Sequence, residues 1–282
     1  MNYRHAFHAG NFADVVKHAL LARLVAYLKR KEKPFRVIDT HAGRGRYDLS
    51  GEEARRTGEH LGGITALLAS PAAGHPLLAD YLAVVREVTA QAQGAAYPGS
   101  PLLARRLLRR QDRLSAYELH PVDAKALAAE FAGDVQVKAI ELDGWLALGA
   151  HVPPKEKRGL VLIDPPFEEG GETERIVQTV ARAHRRWPGG TYAIWYPIKR
   201  PAEREKLHRL LRESGMPDVL AAEFFREGFT PGETLVGSGL AVVNPPFVFA
   251  QEATDIMKAL LPVLGVNESA HCGIIALASE AG

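Results

Sequence analysis

Asp164-Pro165-Pro166-Phe167 is the stretch of this sequence whose residue types could do chemistry together. It follows Gly159-Leu160-Val161-Leu162-Ile163, a short apolar run bounded by glycine and a proline pair, which predicts a strand buried on both faces. Pro165 biases Asp164 toward extended backbone, so the carboxylate projects from the strand's carboxyl end while the Pro165 carbonyl stays free to accept. A carboxylate beside a carbonyl makes two acceptors, enough to fix both N–H bonds of an exocyclic amine on a nucleobase. Held that way, the nitrogen is drawn toward tetrahedral geometry and its lone pair, otherwise delocalised into the ring, is aimed at an electrophilic carbon. Phe167 offers a flat apolar face on which the base could stack.

This Asp-Pro-Pro-aromatic pattern resembles the catalytic motif of amino-methyltransferases, which act on a base taken out of its stack. An ordinary strand ending in a proline turn would leave the same Asp merely solvated. Val242-Val243-Asn244-Pro245-Pro246-Phe247 also follows a strand, and Asn-Pro-Pro-aromatic is a variant of the motif. Position in the fold has to choose between the two copies.

The elements that must position them alternate. Strands are predicted at 35–40, 114–119, 136–142, 159–163, 191–196, 219–224 and 238–243, with helices at 11–30, 101–112, 121–132, 172–186, 201–214 and 251–264. Alternation of this kind argues for a mostly parallel sheet covered on both faces. In the first helix Val16, Leu20, Leu24 and Leu28 form the apolar stripe, Asn11 is the expected cap, and Lys17 and His18 lie off the stripe. Ser100 is the expected N-cap and Pro101 the first residue of a helix carrying Arg105, Arg106, Arg109 and Arg110. Residues 48–98 interrupt the alternation with two amphipathic patterns, 52–69 and 76–92, and read as an inserted helical lobe. The domains expected are therefore 1–47 with 99–282, and 48–98 between them.

Ligands in such sheets sit outside the carboxyl ends of the parallel strands, at the switch point. There Asp39 leads into Gly43-Arg44-Gly45, whose glycines let backbone approach a ligand, and Glu118, Asp143-Gly144 and Asp164 end the next three strands. Glu118 could accept from two ribose hydroxyls and Asp143 from an adenine amine. The strand before Asn244, if reversed, sends Asn244 to the opposite edge, which favours Asp164.

With 282 residues, 46% of them hydrophobic, and no run of 18 apolar residues, the chain suits one large core plus an insertion, and no membrane span is expected. The start lacks the apolar core of a signal peptide, and the single Cys272 permits no internal disulfide, so the cytoplasm is the expected compartment. Net charge is only +2, from 35 basic and 33 acidic side chains, so bulk charge does not argue for nucleic acid. Local clusters are the candidates, Tyr3, Arg4 and Lys17 near the start, Arg105, Arg106 and Arg109, and Lys199, Arg200, Arg204 and Lys206, although a charge run such as the arginines is more often a solvated face than a phosphate contact. His5-x-x-His8 has no Cys or acid to complete a ligand set, and no metal is expected.

Tyr3-Arg4-His5-Ala6-Phe7-His8-Ala9-Gly10-Asn11-Phe12-Ala13-Asp14-Val15-Val16-Lys17-His18, with Asp39-Thr40-His41-Ala42-Gly43, Tyr97-Pro98-Gly99-Ser100-Pro101, Glu118-Leu119-His120-Pro121, Asp143-Gly144 and Ile163-Asp164-Pro165-Pro166, resembles the RlmJ family, whose members methylate N6 of an adenine in bacterial 23S ribosomal RNA. The resemblance implies an α/β fold: a seven-stranded Rossmann-like S-adenosylmethionine-dependent methyltransferase sheet, its last strand antiparallel. By matching position it implies cofactor contacts from His18, His41, Gly43, Ser100, Glu118, Asp143, Gly144 and Asp164. It gives Asp164 the catalytic role, which the chemistry of the motif extends to Pro165 and Phe167, and places Tyr3 and Lys17 near the substrate, with Arg4 added as an RNA contact by its charge. The partner implied is 23S rRNA, naked or in early assembly, met by a monomer. Phe167 stands where the family more often has tyrosine; stacking survives, and a hydroxyl is lost. Rival readings are the same chemistry on DNA adenine or a protein amide, and a non-catalytic RNA-binding assembly factor.

Overall fold

The structure, a computed structural model, describes residues 5–92, 95–168 and 170–279. Its first long element is α1 (Phe12–Lys29), capped by Asn11, whose side chain accepts from the Asp14 N–H at 2.9 Å. The helix is buried nearly all round, with Lys17 and His18 as deeply covered as the predicted stripe, as expected of a helix sandwiched between layers. Then come β1 (Arg36–Asp39), β2 (Arg46–Asp48), the short helices α2 (Glu52–Thr57) and α3 (Ile64–Leu68), α4 (Ala79–Gln91) and β3 (Ala96–Pro98). The first predicted amphipathic pattern of this stretch breaks into short pieces at Gly58, Gly62 and Gly63, and only the second yields a long helix. β2 and β3 pair antiparallel and draw the two ends of the insertion together.

The remainder runs α5 (Ser100–Leu107), β4 (Arg113–Glu118), α6 (Pro121–Glu130), β5 (Val137–Glu141), α7 (Gly144–Ala150), β6 (Gly159–Ile163), α8 (Glu172–Arg186), β7 (Thr191–Ile198), α9 (Pro201–Glu213), β8 (Val219–Phe225), β9 (Gly237–Val243), α10 (Phe249–Leu264) and β10 (His271–Ala278). Among the described residues the main sheet has eight strands in the order β10-β8-β9-β7-β6-β1-β4-β5, one more than the seven expected. β10 is the addition: it pairs antiparallel with β8 at the sheet's edge and has mostly half-exposed residues, so it carries little of the apolar signal a buried strand shows. From β5 to β7 neighbouring strands are parallel, and β9 runs antiparallel between β7 and β8.

Residues of β6 alternate between the two covering layers. Leu160 and Leu162 pack with α1, α5 and α10, whereas Val161 and Ile163 pack with α7, α8 and α9. Ile64, Leu67, Tyr81, Leu82 and Val85 of the inserted stretch join the α1 layer, so that segment shares its core with the sheet.

One buried charge cluster fixes α9 against the sheet. Glu223 on β8 is 2% exposed and accepts from Arg204 (2.7–2.9 Å) and from the Tyr196 hydroxyl (2.8 Å), with His208 Nε2 3.1 Å away. Burial alone would raise its pKa, but these donors outweigh burial and hold it at about 2. Glu223→Ala should therefore cost about 3–5 kcal/mol, because it strands a cation. Urea unfolding at pH 7 checks this. Since the folded-state pKa is depressed, the stabilisation is present above about 4.5 and is lost as pH falls toward about 2.

Candidate active site

The strand order reverses at β1, and the carboxyl ends of β1, β4 and β6 open there onto a cavity of about 300 Å³. Its walls include Lys17, His18, His41, Gly43, Ser100, Glu118, Asp143, Gly144, Asp164, Pro165 and Pro166. Every cofactor residue expected from the sequence thus lies on one cavity. Tyr3 and Arg4 fall outside the described residues.

Asp164 continues directly from β6, and its Oδ2 accepts from Lys17 Nζ at 2.6 Å. Lys17 also pairs with Asp14 Oδ1 at 2.9 Å, and Asp14 Oδ2 accepts from the Gly10 N–H. Burial would depress the Lys17 pKa, but the two carboxylates outweigh it and hold it well above the ordinary value, so the ammonium stays charged. The pair spans 147 positions of sequence and joins α1 to the end of β6.

Glu118, at the end of β4, accepts from the Gly43 N–H (Oε2, 2.8 Å) and the His120 N–H (Oε1, 2.8 Å). Each oxygen keeps a further lone pair. Gly43 has φ +60, and a Cβ there would lie 2.2 Å from the Tyr47 hydroxyl, so glycine is required. Asp143 caps α7, a short helix the sequence reading missed, accepting from the Trp145 N–H at 2.8 Å; its Oδ2 faces Arg175 at 3.3 Å.

Ser100 is not the cap expected. Gly99 occupies that position, Ser100 is the first residue of α5, and its hydroxyl donates to Asp39 Oδ2 at 2.6 Å. Burial pushes the Asp39 carboxyl up to about 7. His41 Nδ1 lies 2.8 Å from Thr40 Oγ1, which itself donates to the Leu162 carbonyl, so the imidazole is the donor of the pair. Burial and nearby Arg175 lower its pKa to about 3, leaving it neutral. His18 Nδ1 meets the Tyr97 hydroxyl at 2.8 Å, and Tyr97 in turn meets Tyr81 at 2.9 Å, tying this wall to α4.

Phe167 departs from the expected arrangement. It does not line the first cavity but a second one of about 380 Å³, with Tyr196, Pro197, Lys199 and Arg200; Glu168 and Glu172 border both. Its backbone sits in the left-handed region, φ +55, and its ring meets Trp195 at 5.9 Å. Asn244 lies at the opposite end of the sheet, at the end of the reversed strand β9, where its side chain donates to the Pro188 and Gly190 carbonyls.

The arginine-rich stretch is internally engaged. α5 ends at Leu107, short of the helix expected; Arg105 pairs with Asp134, Arg106 with Glu87 and Arg109 with Asp112. Arg204 and Lys206 likewise pair with Glu223 and Glu174. Asp39 was expected at this edge; the site residues that sequence reasoning missed are Asp14, Trp145, Arg175 and Trp195. Only Trp145, next to Asp143-Gly144, carried a local signal.

A family model described as ribosomal RNA large subunit methyltransferase D, RlmJ, matches residues 32–273. The chain belongs to the RlmJ family. It is 39% identical to ribosomal RNA large subunit methyltransferase J of Escherichia coli, over 92% of each chain. The Haemophilus influenzae protein of the same name is 37% identical, over 94% of this chain and 92% of its own. A crystal structure of protein LPL1258 from Legionella pneumophila superposes with a TM-score of 0.88 at 34% identity, covering 95% of this chain and 98% of that one. As an RlmJ family member the chain is a methyltransferase, and its methyl donor is S-adenosylmethionine.

The cavity fits that donor. A Cβ at Gly144 would lie 2.1 Å from the Thr40 carbonyl oxygen, so this wall is built as tightly as backbone allows, with the Glu118 and Asp143 carboxylates beside it. Gly144→Ala should cost about 1–3 kcal/mol through overpacking and weaken cofactor binding. Titration calorimetry with S-adenosylmethionine tests it.

Proposed function

We propose that the protein methylates the N6 amine of a specific adenine in 23S ribosomal RNA. The observation that carries this reading is Asp164, held by Lys17 at the end of β6 and opening on the same cavity as Glu118 and Asp143. When bound, S-adenosylmethionine supplies an electrophilic methyl group on a sulfonium. Glu118 would hold the ribose hydroxyls with the lone pairs its backbone donors leave, and Asp143 and Gly144 would border the adenine. His18, His41, Gly43 and Ser100 complete the wall.

On the acceptor side, Lys17 occupies Asp164 Oδ2, so Oδ1 is the oxygen offered to one N–H of the target amine, and the Pro165 carbonyl takes the other. Phe167 stacks on the base from the second cavity. Asp164 lies beside the Lys17 ammonium, and the proton that N6 sheds after transfer passes to solvent water. The acceleration comes from alignment and preorganised acceptors, with no covalent enzyme intermediate. In this reading Lys17, buried against Asp14 and Asp164, acts on the substrate through Asp164, and Tyr3 and Arg4, outside the described residues, are assigned to RNA contact. Residues 48–98 form an inserted lobe on a domain of 1–47 and 99–282, and the enzyme acts as a cytoplasmic monomer on naked or early-assembly RNA. Among the described residues no helix is long and apolar enough to cross a membrane.

Labelled S-adenosylmethionine offered with either unmodified ribosomal RNA or duplex DNA tests the substrate class. Transfer to the RNA is expected; preferential transfer to DNA would overturn the reading.

A further inference from the structure

Trp195 is the residue beside the motif that the functional reading has not used. β7 is the parallel neighbour of β6, with Ile194 opposite Ile163, so the next residue along β7, Trp195, stands alongside Asp164. Its indole N–H donates to the buried Ser238 hydroxyl on β9 at 3.0 Å, which fixes the ring against the sheet. The Lys17 ammonium lies 5.4 Å from the ring centroid, and Phe167 meets the same indole at 5.9 Å with an interplanar angle of 74°. One anchored side chain therefore touches both groups that flank Asp164: the cation that orients the carboxylate and the aromatic that follows it.

Both contacts need such a partner. A left-handed backbone is costly for a bulky residue and persists only where the surroundings over-determine it, and Phe167 holds φ +55 with its ring against this indole. The Lys17 ammonium could swing off Asp164 toward Asp14 alone; the indole face favours a cation where it now stands. We infer that Trp195 is a positioning residue for methyl transfer: it sets the Phe167 ring and the Lys17 ammonium, and through them the placement of the target amine. This rests on the proposed function, in which Asp164 orients that amine.

The test uses the full chain with Trp195→Leu, Trp195→Phe, Phe167→Leu and the Trp195→Leu/Phe167→Leu double variant. Misplacement of this kind lowers kcat on unmodified ribosomal RNA by about 10- to 100-fold. S-adenosylmethionine affinity, read by calorimetry, should stay within about twofold, since Trp195 does not line the cofactor cavity. Trp195→Phe should recover part of the loss, and the double variant should be little worse than the poorer single one, because the two residues act as a unit. Independent of any turnover, a crystal structure of Trp195→Leu should show Phe167 out of the left-handed region or Lys17 displaced from Asp164. Unchanged kcat, multiplicative losses, or a crystal structure with both side chains unmoved would each overturn the assignment. Absence of RNA methylation by the unmutated protein would instead count against the proposed function, and the crystal structure would still decide the role of Trp195.

Discussion

Asp164→Ala should lower the rate of methyl transfer by about two to three orders of magnitude, the usual cost of removing one preorganised hydrogen-bonding group from a reaction centre. The substitution leaves the fold intact because Lys17 keeps a second carboxylate partner, Asp14 Oδ1 at 2.9 Å. It also spares Glu118, Asp143 and Gly144 in the same cavity, so S-adenosylmethionine should still bind. Asp164→Asn is the sharper variant. It preserves the shape but gives up the ion pair with Lys17, and it should also be strongly impaired if a carboxylate is what fixes the amine. Single-turnover transfer at saturating cofactor measures both, and near-normal rates in either variant would remove Asp164 from the centre of the mechanism.

Lys17→Met should be the most destabilising single change in the site. The side chain is 3% exposed, and its loss leaves Asp14, 2% exposed, and Asp164 facing each other without a cation. Breaking a buried pair from one side costs about 3–5 kcal/mol, or roughly 6–20 °C in Tm at about 2–4 °C per kcal/mol for a chain of this size. Asp14→Asn combined with Lys17→Met should recover part of that stability, since one stranded charge is then gone. It should not recover transfer, because Asp164 still lacks the group that orients it. Calorimetric melting and RNA methylation, measured on the same preparations, separate the two roles.

The strand that carries the motif was legible to the residue. An apolar run between Gly159 and a proline pair has little freedom to be anything else, and β6 spans Gly159–Ile163. α8, with its long amphipathic period, was legible as well. What periodicity cannot show is which residues meet across the sheet. Lys17 lies off the apolar stripe of α1, its carboxylate partner at the end of β6 appears only once that strand is placed beside the helix, and Trp195 gains its meaning only from the register of β7 on β6. The arginine run read first as a solvated face and second as a surface for phosphate; Asp112 is an i,i+3 partner of Arg109 within the run, whereas Asp134 and Glu87 come from separate stretches that sequence does not mark as partners. Ser100 had the chemistry of a helix cap, but a buried Asp39 competes for its hydroxyl and wins. β10 escaped notice because an edge strand with half-exposed residues and a central Gly273 lacks the apolar run that marked the others.

Nucleoside analysis of ribosomal RNA from cells lacking this protein, after incubation with it and labelled S-adenosylmethionine, reads out which atom Asp164 presents to the methyl group. An acceptor amine held by the Asp164 carboxylate and the Pro165 carbonyl predicts label in N6-methyladenosine of the large-subunit RNA. Label in a ring-carbon or ribose-methylated nucleoside, or no label despite bound cofactor, would contradict it.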